Sequence, residues 1–426
     1  MTADSRTAGV GARGDARPAL ARALAVDSLD TADFAAETWG RRPLLTPATD
    51  LGTAGFTDLF SLEAVDELVA RRGLRTPFVR VAKAGSVVPA SRYTRSGGTG
   101  AQVSDQVVDD RLLELFADGH TIVLQGLHRI WPPLVDFAGQ LMTDLGHPVQ
   151  VNAYVTPSQS QGFAAHYDVH DVFVLQVAGE KQWRVHEPVH ELPLRDQPWT
   201  DHRAAVAARA EETPVVDTTL RPGDSLYLPR GFLHSAVALG GVTCHLTVGI
   251  HPVTRHAVLA TLLDLAADDV ALRTSLPLGI DLAQPAEVQA DLDATVEALL
   301  TRVRSITAAE VSAALAERSL GSRRAAPLGP LAQAAALDRL SMESVLVVRE
   351  HLDHLVRSDE GIGRDLVLAL SGRTVRLPGA WGKALQCLLD GAAVPVAELP
   401  DLTAHEAMAC ARRLVREGVV VVDVTR

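Results

Sequence analysis

The region from Val149 to Pro252 places the strongest constraint on the fold of this 426-residue chain. Short runs of alternating apolar and polar residues are separated there by turns that contain Pro or Gly, a pattern typical of an antiparallel β-sandwich or barrel. In "VQVNAYVTP", Gln150, Asn152 and Tyr154 share one face of a predicted strand, and the apolar residues share the other. The sequence therefore predicts a β-rich core in the middle of the chain.

Composition and charge restrict the class of protein further. Hydrophobic residues make up 47% of the sequence and charged residues 22%, which is ordinary for a globular protein with a packed core. The net charge of −12 disfavours direct binding of nucleic acid and favours a basic protein or peptide as partner. No apolar run approaches the roughly 20 residues of a membrane span, so we expect no membrane partner.

The three cysteines, Cys244, Cys387 and Cys410, lie far apart and form no C-x-x-C pair. This spacing argues against a zinc ribbon and against a disulfide scaffold. We therefore expect a cytoplasmic protein.

The patterns on either side of the β-rich region predict four segments. Residues 1–22 contain no apolar core and are expected to be a disordered tail. Residues 23–253 combine mixed helical and strand elements with the β-rich region, and residues 254–340 show the apolar periodicity of amphipathic helices. Residues 341–426 alternate strand-like and helix-like runs in an order that resembles a winged-helix module. Without a basic recognition face, such a module more often binds protein or has a structural role than reads DNA.

A short motif, "HYD", precedes the apolar run "DVFVLQV" and suggests a metal site. Residues two apart on an extended strand project from the same face, so His166 and Asp168 can converge on one ion, whereas on a helix they would diverge by about 200°. A second copy, His351 and Asp353, lies in the charged stretch "REHLDHLVRSDE". We interpret that copy as surface residues.

A third ligand is needed, because iron(II) oxygenases use two histidines and one carboxylate and leave coordination positions free. His234 is the best candidate, since it follows the turn and strand "PGDSLYLPRGFLH" within the same β-rich region. In a barrel, this late strand would lie opposite the earlier one. Taken alone, His234 could equally be a hydrogen-bonded loop histidine.

Longer stretches of the chain resemble a known family. "NAYVTPSQSQGFAAHYDVHDVFVLQVAGEKQWRV", "GDSLYLPRGFLHSA" and "HLTVGI" are similar to the JmjC-type, cupin-fold ribosomal oxygenases, which are iron- and 2-oxoglutarate-dependent protein hydroxylases. The likeness extends through "FAAETWGRRPLLTP" and "LQGLHRIWPPL" to nearly all of residues 30–426. It implies an α+β fold with a double-stranded β-helix core of the jelly-roll, cupin or JmjC type, a helical dimerisation region and a C-terminal winged-helix domain.

The resemblance also assigns roles to individual residues. His166, Asp168 and His234 would be the Fe(II) ligands and catalytic centre, with 2-oxoglutarate and O2 as co-substrates. Lys181 matches the basic residue that binds the distal carboxylate of 2-oxoglutarate. Further candidate cofactor-binding residues are Asn152, Tyr154, His245 and Thr247. Ordinary strand packing is the alternative for the first two of these.

The implied activity is hydroxylation of a protein side chain, a histidine or arginine of a ribosomal protein. Gly249 stands where well-studied eukaryotic members have a serine, which leaves the choice between these two residues open. Hydroxylation of another peptide or of a small molecule is a second possibility, and a metal-binding cupin that regulates without turnover is a third. The resemblance further implies a homodimer formed through the helical segment, although the same apolar stripes can pack within one chain.

Overall fold

The computed structural model describes most of the chain. The described residues are 18–24, 31–48, 55–83, 85–100, 102–160, 163–358 and 365–423. They divide into two compact units, the first ending at Pro252 and the second beginning at Val253.

The first unit combines helices with many short strands. Its helices are α1 (Pro18–Ala23), α2 (Thr31–Asp33, continued by a π-helical turn, Phe34–Thr38), α3 (Leu62–Arg71), α4 (Asp109–Ala117), α5 (Leu127–Ile130), α6 (Pro132–Leu145) and α7 (Arg203–Arg209). Its strands are β1 (Leu44–Thr46), β2 (Val79–Lys83), β3 (Ser86–Val87), β4 (Thr94–Arg95), β5 (Gln106–Val107), β6 (Thr121–Leu124), β7 (Val149–Thr156), β8 (Asp171–Ala178), β9 (Lys181–His186), β10 (Val216–Leu220), β11 (Ser225–Leu228), β12 (Leu233–Ala238) and β13 (Thr243–Ile250).

Two antiparallel sheets make up the centre of this unit. The larger sheet has the strand order β1-β11-β8-β13-β7-β6-β2-β3, and the smaller has the order β10-β9-β12. Apolar side chains from both sheets share one buried cluster, which includes Val174 of β8, Trp183 of β9, Leu220 of β10 and Leu226 of β11. The β-rich core that alternation predicted for this region is confirmed.

Strand β7 illustrates why the sequence folds in this way. Val149, Val151, Ala153 and Val155 are all buried and belong to the main hydrophobic cluster, which also includes apolar residues of α6. The polar residues between them face the opposite side of the sheet, as a side-chain period of two requires. The sequence pattern therefore separates a packing face from a face that is free to form a site.

The predicted tight turn between β8 and β9 is also present. Gly179 has φ +66°, and a Cβ there would lie 2.4 Å from the carbonyl oxygen of Val242. Because only glycine fits both the backbone angle and the close approach, this turn fixes where β9 begins and so where Lys181 lies.

One prediction for the N-terminus was wrong. The disordered tail was expected to run to residue 22, but Pro18–Ala23 forms α1. Ala19, Leu20 and Ala23 are buried in the main hydrophobic cluster, so their apolar surface stabilises the helix by packing. The rest of the predicted tail, residues 1–17, lies outside the described residues.

The second unit contains several helices and two small antiparallel sheets. Its helices are α8 (Arg255–Ala266), α9 (Pro285–Ser305), α10 (Ala308–Ser319), α11 (Pro330–Asp338), α12 (Gly382–Leu389) and α13 (Ala404–Arg416). Its strands are β14 (Val345–Val348), β15 (His354–Ser358), β16 (Leu366–Leu370), β17 (Arg373–Leu377), β18 (Val394–Pro395) and β19 (Val420–Val422). The sheets have the orders β18-β14-β19 and β15-β16-β17.

Local signals in the sequence account for the ends of several of these helices. In "TAHE", the Thr403 side chain accepts a hydrogen bond from the backbone N–H of Glu406, and the Glu406 carboxylate accepts from the backbone N–H of Thr403. This reciprocal capping satisfies N–H groups that have no partner within the helix. Buried residues of α12 and α13, including Leu388 and Leu414, then pack in one hydrophobic core.

The interpretation of the second H-x-D copy needs correction. Asp353 is not a surface residue, because its side chain is only 15% exposed and lies 3.2 Å from the Arg323 guanidinium. Strand β15, which begins at His354, was also missed, since charged residues lie on both sides of it in "REHLDHLVRSDE". An ion pair and a short strand therefore occupy the segment that the sequence suggested was solvated.

Candidate metal and co-substrate site

Two histidines and one aspartate meet at one edge of the β-core. The side chains of His166, Asp168 and His234 each offer one ligand atom, and these atoms all lie within 4.8 Å of one another. The two imidazole rings are 4.6 Å apart, and Nε2 of His234 lies 3.7 Å from a carboxylate oxygen of Asp168. Among the described residues, this is the group of at least three His, Cys, Asp or Glu side chains that lie close enough together to hold one metal ion.

Backbone pairing, rather than a long strand, brings the histidines together. His166 and His234 form an isolated antiparallel bridge, in which each backbone N–H donates to the other residue's carbonyl oxygen. The sequence predicted that His166 and Asp168 head the strand that follows them. Instead β8 starts only at Asp171, so the pair precedes that strand and is aligned by the start of β12.

Each histidine is oriented by a hydrogen bond on its other nitrogen. Nδ1 of His166 lies 2.8 Å from the carbonyl oxygen of Ala164, and Nδ1 of His234 lies 3.1 Å from that of Phe232. Since a carbonyl oxygen only accepts, both Nδ1 atoms must carry the proton. The lone pair is then on Nε2, which is the arrangement that metal-binding histidines require.

The charges of these groups also suit a metal. Burial, reinforced by the neighbouring His166, lowers the pKa of His234 to about 4, so this imidazole is neutral at pH 7. Burial alone would raise the pKa of Asp168, but the surrounding histidines outweigh it and the pKa is lowered. The cluster thus offers two imidazole nitrogens and one carboxylate, the donor set that open-sided iron(II) sites use.

A buried acid–base network holds the turn that precedes His234. The Asp171 carboxylate, 1% exposed, accepts hydrogen bonds from the Tyr227 hydroxyl at 3.1 Å and from the backbone N–H of Arg230 at 2.9 Å. The next residue, Gly231, donates its N–H to the carbonyl oxygen of Asp168. The segment that carries His166 and Asp168 is therefore tied to the turn before β12, immediately beside the cluster.

Lys181 is the one lysine buried in the described core. It begins β9, is 4% exposed, and its Nζ donates to the Thr156 hydroxyl at 3.3 Å. Burial lowers the pKa of Lys181 to about 8, against a smaller opposing effect of Cys244. No carboxylate among the described residues pairs with this buried ammonium group, which is therefore well suited to receive an anionic ligand.

The other four candidates form two cross-strand pairs between β7 and β13. Asn152 lies opposite Thr247, and Tyr154 lies opposite His245 with the rings stacked at 5.1 Å. The Asn152 side-chain oxygen accepts from the backbone N–H of Gly126 at 3.0 Å, which leaves its amide N–H groups as donors. Burial, together with the Asp168 carboxylate, raises the pKa of Tyr154 to about 12, so the phenol stays protonated.

Comparison with known proteins agrees with this geometry. A family model described as the JmjC domain matches residues 136–258. The chain contains a JmjC domain. All eight candidate residues lie within the matched span, and the resemblance seen in the sequence is confirmed there.

Curated relatives match the same part of the chain. Ribosomal oxygenase 1 of Homo sapiens is 41% identical over 119 residues, covering 27% of this chain and 18% of the relative. Ribosomal oxygenase 2 of Rattus norvegicus is 34% identical over 164 residues, covering 36% of this chain and 34% of the relative. The bifunctional lysine-specific demethylase and histidyl-hydroxylase NO66 of Drosophila persimilis is 36% identical over 139 residues, covering 31% and 19%. The chain therefore matches about a third or less of the length of these relatives.

Solved structures extend the likeness beyond the JmjC domain. Escherichia coli YcfD superimposes with a TM-score of 0.55 at 20% identity, over 93% of this chain and 99% of that protein. The ribosomal oxygenase YcfD in complex with cobalt and 2-oxoglutarate gives a TM-score of 0.52 at 20% identity. At this identity the likeness establishes the fold alone, a JmjC cupin-fold core with mixed helices and sheets, and so confirms the predicted α+β class.

Sequence reasoning missed several side chains beside the cluster. Trp183 lies two residues after Lys181 on β9, and its ring centre is 6.1 Å from that of His234. The period of two along "KQWRV" could have placed it on the same face as Lys181. Asp171 and Arg230 carry no such signal, because their contact depends on how two distant turns meet.

No helix in the described part of the chain has the length and hydropathy needed to cross a bilayer.

Proposed function

We propose that this chain is an Fe(II)- and 2-oxoglutarate-dependent oxygenase that hydroxylates a protein side chain, with a ribosomal protein as the favoured substrate. The observation that carries the proposal is the cluster of His166, Asp168 and His234, with both Nδ1 atoms held by backbone carbonyls. A structural metal site would use four protein ligands and leave no open position. Three ligands on one side suit a metal that also binds substrates.

In this proposal the two Nε2 atoms and the Asp168 carboxylate hold Fe(II). The bound iron, with 2-oxoglutarate and O2, supplies an oxidant that inserts one oxygen atom into a C–H bond while 2-oxoglutarate is converted to succinate and CO2. The protein's own residues bind, orient and exclude water. Because no step needs a side-chain nucleophile, the neutral state of His234 and the protonated state of Tyr154 fit this chemistry.

Lys181 would bind the distal carboxylate of 2-oxoglutarate. Its ammonium group lies within the β-core and its hydrogen bond to Thr156 leaves two further N–H donors. Its cross-strand neighbour on β12 is Ala238, and the same pairing sets Val185 opposite His234. The strand pair β9–β12 therefore runs from the proposed anion-binding end to the proposed metal end.

We infer that Asn152, Tyr154, His245 and Thr247 line the same cavity. They lie on the face of β7 and β13 that is turned away from the main hydrophobic cluster. The polar face of these strands would otherwise require hydrogen-bond partners within the core.

The names of the relatives support a ribosomal protein as substrate, and the net charge of −12 suits a basic ribosomal loop. Another peptide or a small molecule remains the alternative substrate. A non-catalytic metal-binding protein is the alternative of a different class. Lys181 argues against that class, because a buried ammonium group is costly and a metal scaffold does not need one.

The second unit leads to two further proposals. Residues 254–340 would be a dimerisation region, since several large apolar side chains of its helices are exposed, among them Leu259, Leu263 and Leu292. Residues 341–426 would be a winged-helix domain that binds protein rather than nucleic acid. We further propose a cytoplasmic location, where the thiols of the three cysteines stay reduced.

The test is succinate formation by purified protein supplied with Fe(II), 2-oxoglutarate, O2 and proteins extracted from ribosomes. We expect succinate to depend on all components and to be lost in His166→Ala but kept in the matched control His351→Ala. Metal and 2-oxoglutarate binding without turnover on any protein or small molecule would contradict the oxygenase and favour the non-catalytic alternative.

A further inference from the structure

Two buried nitrogen atoms beside the proposed metal site have no hydrogen-bond partner among the described residues. They are Nε1 of Trp183 and Nδ1 of His245. Trp183 is 5% exposed and His245 is 3% exposed, so neither nitrogen is exposed to bulk solvent. Because buried polar groups are almost always hydrogen-bonded, such atoms indicate a missing partner.

Strand register puts Trp183 between the two ends of the proposed co-substrate. Lys181, Trp183 and Val185 alternate along the inward face of β9, and all three are buried. Val185 lies directly opposite the ligand His234, whereas Lys181 lies at the other end of the strand. The indole of Trp183 therefore lies between the proposed position of the distal carboxylate and the proposed metal site.

His245 approaches the same place from β13. Its ring meets that of Trp183 edge to face, with centres 5.4 Å apart and an angle of 83°. Stacking on Tyr154 at 5.1 Å and 5° fixes the plane of the imidazole. Lys181 and His234 are both close enough to lower the pKa of His245, after burial, which is the largest cause.

The chemistry of the two nitrogens restricts their missing partner. An indole N–H can only donate, and a neutral imidazole donates from Nδ1 in one of its two tautomers. The partner of the indole must therefore be an acceptor, and His245 can donate to the same acceptor in its Nδ1–H tautomer. The nearby ammonium group of Lys181 favours an anionic acceptor. A carboxylate or keto oxygen of a small dicarboxylate meets both conditions.

We propose that Trp183 is an additional binding residue for the dicarboxylate co-substrate, donating a hydrogen bond to it through Nε1–H, and that His245, already a candidate, donates to the same ligand through Nδ1–H. This inference rests on the proposed function, because it takes 2-oxoglutarate as the ligand. It goes beyond that function by assigning Trp183, which would otherwise be a core residue, to recognition of the ligand.

The first test measures the affinity of the Co(II)-loaded protein for 2-oxoglutarate by calorimetry. Trp183→Phe keeps an aromatic ring and removes the N–H, and His245→Phe keeps the stacking on Tyr154 and removes both nitrogens. We expect each variant to bind 2-oxoglutarate roughly ten- to a hundredfold more weakly, the effect of losing one hydrogen bond to a charged group. Its affinity for Co(II) should stay unchanged, which excludes general damage to the site.

A second test observes the indole itself. In the Zn(II)-loaded full-length protein, the Nε1–H resonance of Trp183, assigned by its absence in Trp183→Phe, should move downfield when 2-oxoglutarate is added. Should that variant fail to fold, variants at the other four of the five tryptophans assign the resonance by elimination. A purely structural tryptophan would show no such shift.

The outcomes separate this inference from the proposed function. If wild-type protein binds no 2-oxoglutarate, or Lys181→Met binds it as tightly as wild type, the proposed co-substrate site is wrong. If wild type binds and Lys181→Met binds more weakly, but Trp183→Phe and His245→Phe bind normally and the indole resonance does not move, only the present inference is overturned.

Discussion

The buried amine of Lys181 makes the affinity for 2-oxoglutarate depend on pH in a specific direction. Its pKa is lowered to about 8 by burial. The amine is thus about nine-tenths protonated at pH 7, half protonated at pH 8 and about one-tenth protonated at pH 9. A bound dicarboxylate stabilises the ammonium form, so affinity is full below pH 8 and is lost as the pH rises through this value.

The expected magnitude follows from this titration. When only the protonated form binds, the dissociation constant rises roughly tenfold for each pH unit above 8. Lys181→Met, which keeps most of the side-chain length but never carries a charge, should bind roughly 10- to 150-fold more weakly at pH 7, the equivalent of about 1.5–3 kcal/mol. Its affinity should then be nearly constant across pH 8.

The assay is calorimetric titration of Co(II)-loaded protein with 2-oxoglutarate between about pH 6.5 and 9.5. Titration of His234 does not interfere, because its pKa of about 4 lies below this window. Lys181→Arg is the matched control, since a guanidinium stays charged throughout and should remove the break at pH 8. A dissociation constant of the wild type that is independent of pH, or the same break in Lys181→Arg, would refute the reasoning.

Three further predictions concern the metal site and the fold that supports it. Asp168→Asn removes a proposed metal ligand and should weaken Co(II) binding, measured by calorimetry, by more than the roughly 10- to 100-fold effect of losing a residue that only contacts a ligand. The control Asp353→Asn, in the second H-x-D copy, should leave the affinity for Co(II) unchanged. Asp171→Ala leaves a buried arginine without its partner and should lower the free energy of unfolding by about 3–5 kcal/mol in chemical denaturation; an unchanged midpoint would contradict the role of this network. Gly179→Ala should lower the melting temperature of the protein more than Gly40→Ala does. Both positions have positive φ, but only a Cβ at Gly179 would clash with the backbone. Equal melting temperatures of the two variants would refute the steric argument.

The metal cluster was predictable from sequence for a definite physical reason. Residues two apart in extended backbone point the same way, and this holds for His166 and Asp168 even though β8 begins later than expected. The position of His234 required the resemblance, because a lone histidine after a turn is not distinctive.

Other features depend on contacts between residues distant in the sequence. The Asp171–Arg230 contact comes from the meeting of two separate loops. The prediction of short elements from the sequence failed for a related reason. Helix α1 has six residues and is stabilised by packing rather than by its own propensity, so its local sequence gave too little signal.

The most direct test of the central claim is the intact mass of every ribosomal protein from cells with the native gene, compared with cells whose only copy encodes His166→Ala. We expect one ribosomal protein to be heavier by one oxygen atom in the native cells alone, and peptide mapping would then identify the hydroxylated residue. Identical masses for all ribosomal proteins would contradict ribosomal hydroxylation.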